Sequence, residues 1–402
     1  MKLASYVRDK RVIVVCGAGG VGKTTTSASL ALAGTRCGRR ALVLTIDPAR
    51  RLAQALGIPP TGDEPVQIEP ARLRRAGVDV ESGGTLHAWM LDPRVVLEGV
   101  VDRFAPKPED AERIRKTRLY QALCDVMTGL QEYTAAEALY SFHESDAYDL
   151  IVLDTPPSRN ALDFLDAPRR LARFLDERTL SIFAPHTQRS SAMVRAASKV
   201  VQTALSRTFG SAFAHDLQQF MGLFGKLFQK MRVHASGVRE LLRSNESAFL
   251  VVTSPDPAAL DEATYFQHRI EELGLRSEGF VLNRSYARPG HGDTPQGRLR
   301  KVQDEPLHRA LQKLVPLADL ESERVESHRR ILARLETQSR SEGGRGATAL
   351  PFLDEAVESV EALDALSSAV LAPESGPVEP ARPASRSQPD EAGRTESDSS
   401  GA

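Results

Sequence analysis

The run VIVVCGAGGVGKTTTSASLALA, residues 12–33, sets four glycines, a lysine and a row of threonines between a strand pattern and a helical one. Gly17, Gly19, Gly20 and Gly22, with Val21 among them, let the backbone curl so that successive N–H groups face an anion. Lys23 adds a point charge suited to the β- and γ-phosphates of a nucleoside triphosphate, the Thr24 hydroxyl suits Mg²⁺, and Thr25 completes the nucleotide-binding run. The helix entered at Lys23 to Thr26 turns its positive end to the phosphates. Gly17, Gly22, Lys23 and Thr24 fit G-x-x-x-x-G-K-[ST], and the flanking strand and helix patterns separate this loop from a chance run of glycines.

Elements able to hold such a loop recur along the chain. Val12 to Cys16 is an apolar run of the buried parallel-strand kind. Ala41 to Ile46, Leu150 to Asp154, Ala248 to Thr253, Gly279 to Asn283 and Ala347 to Phe352 repeat it, with helical stretches between, which predicts an α/β fold with a mainly parallel sheet flanked by helices. Residues 94–146 and 157–246 are charge-rich, helical in pattern and too long for simple crossovers, so a helical subdomain inserted on one side of the sheet is expected. Ser285 to Gly297 reads as a Gly/Pro-rich loop. From Pro373 to Ala402 there are five prolines, no aromatic residue and Val378 as the single large aliphatic, so a disordered tail is expected over 371–402.

Composition narrows the function class. The 402 residues are 41% hydrophobic, ample for a core, and Lys plus Arg (52) nearly balance Asp plus Glu (53), which argues against nucleic acid as a partner. No apolar stretch reaches the roughly 18 residues of a membrane span, and no secretory cleavage pattern follows the first apolar run, so a soluble, cytoplasmic protein is expected. Cys16, Cys37 and Cys124 lie far apart, which suits a reducing compartment and offers no C-x-x-C clasp for zinc.

TIDPARRLAQALG at 45–57 and LDTPPSRNALDFLDAP at 153–168 resemble the two switches of the ATPase family that includes the arsenite-pump ATPase subunit and the ATPase that targets tail-anchored membrane proteins. FVLNR at 280–284 resembles that family's adenine-reading strand end. LPFLDEAVESVEAL at 350–363, with Pro351, resembles its last strand, turn and closing helix, so the likeness runs over about 10–370 and makes 1–370 one P-loop ATPase domain. The resemblance implies that ATP and Mg²⁺ are the ligands. It also implies that Asp47 orients and deprotonates the attacking water, that Asp154 holds Mg²⁺ through its water shell, and that Asn283 reads adenine through its amide. Asp47 also suits the N-cap of a helix starting near Pro48, and both roles stand.

The chain departs from the family pattern at Ala18, where the family has a signature lysine that reaches the phosphates of a homodimeric partner. Arg50, Arg51 and Arg159 appear where the family usually has other residues, and Arg159, just after D-T-P-P, is the preferred replacement cation. A single P-loop implies that a paired site needs a homodimer. Arsenite needs several convergent thiolates, which these cysteines do not provide. Phe209, Phe213, Leu217, Phe220, Met221, Phe224, Leu227, Phe228 and Met231 recur at helical spacing and suit a hydrophobic client or membrane-protein partner, although core or dimer interface is the commoner use of such a stripe. The resulting expectation is a Mg²⁺-dependent ATPase whose switches couple hydrolysis to capture and release. The alternatives are a nucleotide-gated regulator of the partitioning or septum-placement type and an iron–sulfur reductase, the latter opposed by the cysteine count.

Overall fold

The computed structural model describes residues 1–45, 51–59, 62–79, 82–105, 107–117, 131–156, 236–287, 304–353 and 359–372, with a few single positions besides. Eight strands form one sheet in the order β3-β4-β2-β5-β1-β6-β7-β8. They are β1 (Val12–Gly17), β2 (Arg40–Thr45), β3 (Val66–Gln67), β4 (Thr85–Met90), β5 (Leu150–Asp154), β6 (Ser247–Thr253), β7 (Ser277–Ser285) and β8 (Ala347–Pro351). Every pairing is parallel except that of the two-residue edge strand β3 with β4. The six strands expected from sequence are present within a residue or two of their expected ends, and β7 is longer, taking in Ser277 and Ser285. Strand β4 went unforeseen because TLHAWM follows Gly83–Gly84 and carries a single β-branched residue, Thr85.

Alternation along each strand divides the core in two. Val12, Val14 and Cys16 face one layer together with Leu42, Leu44, Ile151, Leu153, Phe249, Val251, Phe280 and Leu282. That layer is roofed by α5 (Pro93–Phe104), α6 (Pro108–Lys116), α7 (Gln131–Glu144), α8 (Pro257–Glu272) and the C-terminal part of α9 (Glu305–Ser341). Ile13, Val15, Val43, Val152, Leu250 and Val281 face the other layer. There the sheet meets α1 (Leu3–Asp9), α2 (Lys23–Arg36), α3 (Arg51–Leu56), α4 (Pro70–Arg75) and α10 (Leu363–Leu371). Burial on both faces is what parallel strands with near-continuous apolar sequence require. No described helix is long and apolar enough to cross a membrane.

Helix α2 is buried along nearly its whole length, and its sequence shows how. Thr26, Ser29 and Thr35 return their hydroxyl protons to the carbonyls of Gly22, Thr25 and Ala31, so polar side chains are satisfied inside the helix's own groove. Gly34 lets α2 approach the sheet, since a Cβ there would lie 2.6 Å from Leu150 Cδ2. With β1 in the centre and α2 directly after it, the turn between them opens at the carboxyl edge of the sheet, where open α/β sheets bind ligands.

Candidate functional site

The β1–α2 turn is shaped by glycines that no other residue could replace. Gly17 has φ 148° and Gly22 has φ 91°. A Cβ on Gly17 would stand 2.1 Å from the Val252 carbonyl oxygen, and one on Gly22 would stand 2.2 Å from Asn283 Nδ2. Gly17→Ala is therefore expected to destabilise the fold by about 2–4 kcal/mol, because the added carbon meets backbone that belongs to the neighbouring strand β6. The midpoint of urea unfolding measures this; a midpoint equal to that of the parent would refute it.

At the mouth of the turn Lys23 is buried at 5% exposure and its Nζ donates to the Ala18 carbonyl oxygen at 2.7 Å. The lysine thus folds back over the loop that precedes it. Ala18 itself is buried and packs in the apolar layer of Ile13 and Val15. A cavity of about 650 Å³ flanks Ala18 to Val21 and is lined as well by Asp256, Asp261, Glu262 and Arg284.

Asp154 closes β5 with no solvent exposure, level with Val15 of β1 and Thr45 of β2. Three hydroxyls converge on its carboxylate: Thr24 Oγ1 donates to Oδ2 at 2.7 Å, Thr45 Oγ1 to the same oxygen at 3.0 Å, and Ser27 Oγ to Oδ1 at 3.3 Å. The structure therefore joins Thr24 and Asp154 and adds Ser27 and Thr45, which the sequence reading missed. Ser27 follows Thr24 by one helical turn on the same face, the only local sign of its role.

Asn283, 5% exposed, sits where the β7–β8 register shifts. It donates from Nδ2 to the Val21 carbonyl oxygen at 2.9 Å, so its amide braces the glycine loop from the neighbouring side. Arg284 follows with φ 53°. Pro351 ends β8 opposite Ser285, next to Phe352, whose ring stacks on Tyr286 at a centroid distance of 5.2 Å. Cys16 lies wholly inside β1, where burial pushes its thiol up to about 12 against the opposing pull of Lys23. A neutral, enclosed thiol is no soft-metal ligand. Asp47, Arg50, Arg159, Cys124 and the apolar positions of the 209–231 segment lie outside the described residues, as does the side chain of Arg51.

A glycine loop with a buried lysine, set beside a strand-end carboxylate tied to the first threonine of the following helix, is the arrangement of a P-loop nucleotide-binding protein. The profile of the anion-transporting ATPase family matches residues 10–307. The chain belongs to that family. It is 26% identical to an uncharacterized protein of Streptomyces coelicolor over 73% of the present chain and 68% of the relative. It is 25% identical to a Paramecium tetraurelia protein named ATPase ASNA1 homolog 1, over 67% and 74% of the two chains. It is also 23% identical to ATPase GET3 of Malassezia globosa, over 73% and 79%. Relatives from Halobacterium salinarum and Aquifex aeolicus, named for driving an arsenical pump, are matched over only 26% and 38% of their own lengths. The P-loop ATPase fold and family membership read from the two D-P-A and D-T-P-P switches are thus borne out.

Proposed function

We propose that this ATPase-family chain hydrolyses ATP with Mg²⁺ and uses the cycle to capture and release a hydrophobic client or membrane-protein partner in the cytoplasm. One observation carries the reading: the Thr24 hydroxyl and the Asp154 carboxylate lie 2.7 Å apart at the mouth of the glycine loop that Lys23 covers. The donor set suits Mg²⁺, because Thr24 donates a hydrogen bond to Asp154 and keeps oxygen lone pairs for a hard cation, while the carboxylate supplies charge. Thr24 and, through water, Asp154 would hold Mg²⁺, which would supply positive charge to offset that of the phosphates.

In this scheme the N–H groups from Gly19 to Thr25 cradle the phosphates, and Lys23 releases the Ala18 carbonyl to meet the β- and γ-phosphates. Asp47 takes a proton from the attacking water as its oxygen bonds to the γ-phosphorus and the bond to the ADP oxygen breaks. Asn283 and Pro351 border the base. Arg159 supplies the cation that a lysine at position 18 would bring, within a homodimer that pairs two single-P-loop chains. The apolar stripe from Phe209 to Met231 meets the client.

The experiment is hydrolysis and client capture by the full chain. Turnover of ATP is expected with Mg²⁺ and none with excess EDTA; metal-independent turnover would overturn the reading. The Phe220→Ser, Phe224→Ser double variant is expected to lose at least about tenfold in capture of an apolar membrane-helix peptide, with an unchanged far-ultraviolet circular dichroism spectrum. Retained capture would remove the stripe from the mechanism, and a lost spectrum would assign these residues to the core.

A further inference from the structure

Asp154 is held from two independent elements. Thr24 and Ser27 approach it from one face of α2, and Thr45 approaches from the end of the adjacent strand β2. Both carboxylate oxygens therefore accept a hydroxyl proton, and the plane of the group is fixed inside a region from which solvent is excluded. Hydrogen bonds to an ionised carboxylate are roughly twice as strong as neutral ones, so three of them define an orientation rather than merely permit it. The donor type matters as well. A lysine or arginine in these places would cancel the negative charge, whereas a hydroxyl orients the carboxylate and leaves its charge for a cation.

We infer that Ser27 and Thr45 are positioning residues that set the orientation of the Asp154 carboxylate and thereby the strength with which a divalent cation is held beside the nucleotide. The inference rests on the reading of this site as a Mg²⁺–nucleotide site. Neither residue is needed to make its own element: Thr45 is the last residue of β2, and Ser27 is an ordinary polar position of α2. Each is nevertheless wholly or nearly wholly buried, with its hydroxyl turned to the same carboxylate. Thr45 adds a second consequence. The chain runs from it through Ile46 to Asp47, so its bond to Asp154 ties the start of the first switch to the start of the second.

The test compares Thr45→Val, Thr45→Ser and Ser27→Ala with the parent, using the fluorescence of a ribose-labelled ADP as Mg²⁺ is titrated, and the same nucleotide in EDTA. Valine keeps the shape of threonine and removes the hydroxyl. Thr45→Val is expected to raise the Mg²⁺ concentration for half-maximal response at least about tenfold, as loss of a partner that orients a metal-binding group does. Its metal-free ADP affinity stays at the parental value, and Thr45→Ser keeps the parental Mg²⁺ dependence. Ser27→Ala shifts in the same direction by a smaller factor and reports on the proposal even if Thr45→Val fails to fold. Electron paramagnetic resonance of Mn²⁺ on the ADP complexes gives the same affinities without a fluorophore. Parental Mg²⁺ dependence in both hydroxyl-deleted variants would overturn the inference, as would equal weakening with and without metal. A parent whose ADP response ignores Mg²⁺ would instead overturn the nucleotide-site reading beneath it.

Discussion

Lys23→Ala is expected to reduce ATP turnover by at least about a hundredfold, the scale of loss seen when a preorganised charge aimed at the reacting group is deleted. The lysine is the cation that the loop itself carries, and Ala18 is a buried residue that adds none. Removing Lys23 also removes the donor that holds the Ala18 carbonyl at 2.7 Å, so the loop loses an internal tie as well as its charge. The two effects separate by measurement. Loss of charge appears as a fall in turnover and in triphosphate affinity, and loss of the tie appears as a lower unfolding midpoint without ligand. Near-parental turnover in Lys23→Ala would show that the glycine loop is not the phosphate site.

Asp47→Asn is expected to slow hydrolysis by about 10²–10⁴-fold while ATP binding stays measurable. An amide can accept a hydrogen bond from water but cannot take its proton, so ground-state affinity survives and the chemical step does not. Single-turnover kinetics with the full chain distinguish the catalytic role from the capping role. A capping aspartate replaced by asparagine changes helix stability by only a few tenths of a kcal/mol, since both are good N-caps, and leaves the rate unmoved. Equal losses of binding and turnover would assign Asp47 to structure. The two variants are also expected to differ in ligand state: Asp47→Asn retains bound ATP, whereas Lys23→Ala loses triphosphate affinity.

The sequence by itself determined six of the eight strands, because each carries apolar residues for both faces of a parallel sheet, as Val12, Val14 and Cys16 on one face and Ile13 and Val15 on the other show. It determined the glycine loop for an equally local reason: Gly17 and Gly22 take φ of 148° and 91°, a backbone conformation that residues with side chains rarely adopt. Family membership followed from two short switches at the ends of such strands, which the match over residues 10–307 bears out. Tertiary structure alone decided which distant residues meet. Nothing near Thr45 announces Asp154, 109 residues away, until the sheet order puts β2 beside β5 and sets the two level. Asn283 reads locally as a strand-end polar residue, and its bond to the Val21 carbonyl, 262 residues distant, exists because β7 lies two strands from β1 and bulges at that point. The antiparallel edge of β3 on β4 escaped for the same reason, since a two-residue strand has no period to read and is defined only by its neighbour. Periodicity and backbone sterics act within a few residues and leave their mark in the order of the letters, whereas convergence on one carboxylate depends on strand order and register, which only the folded sheet sets.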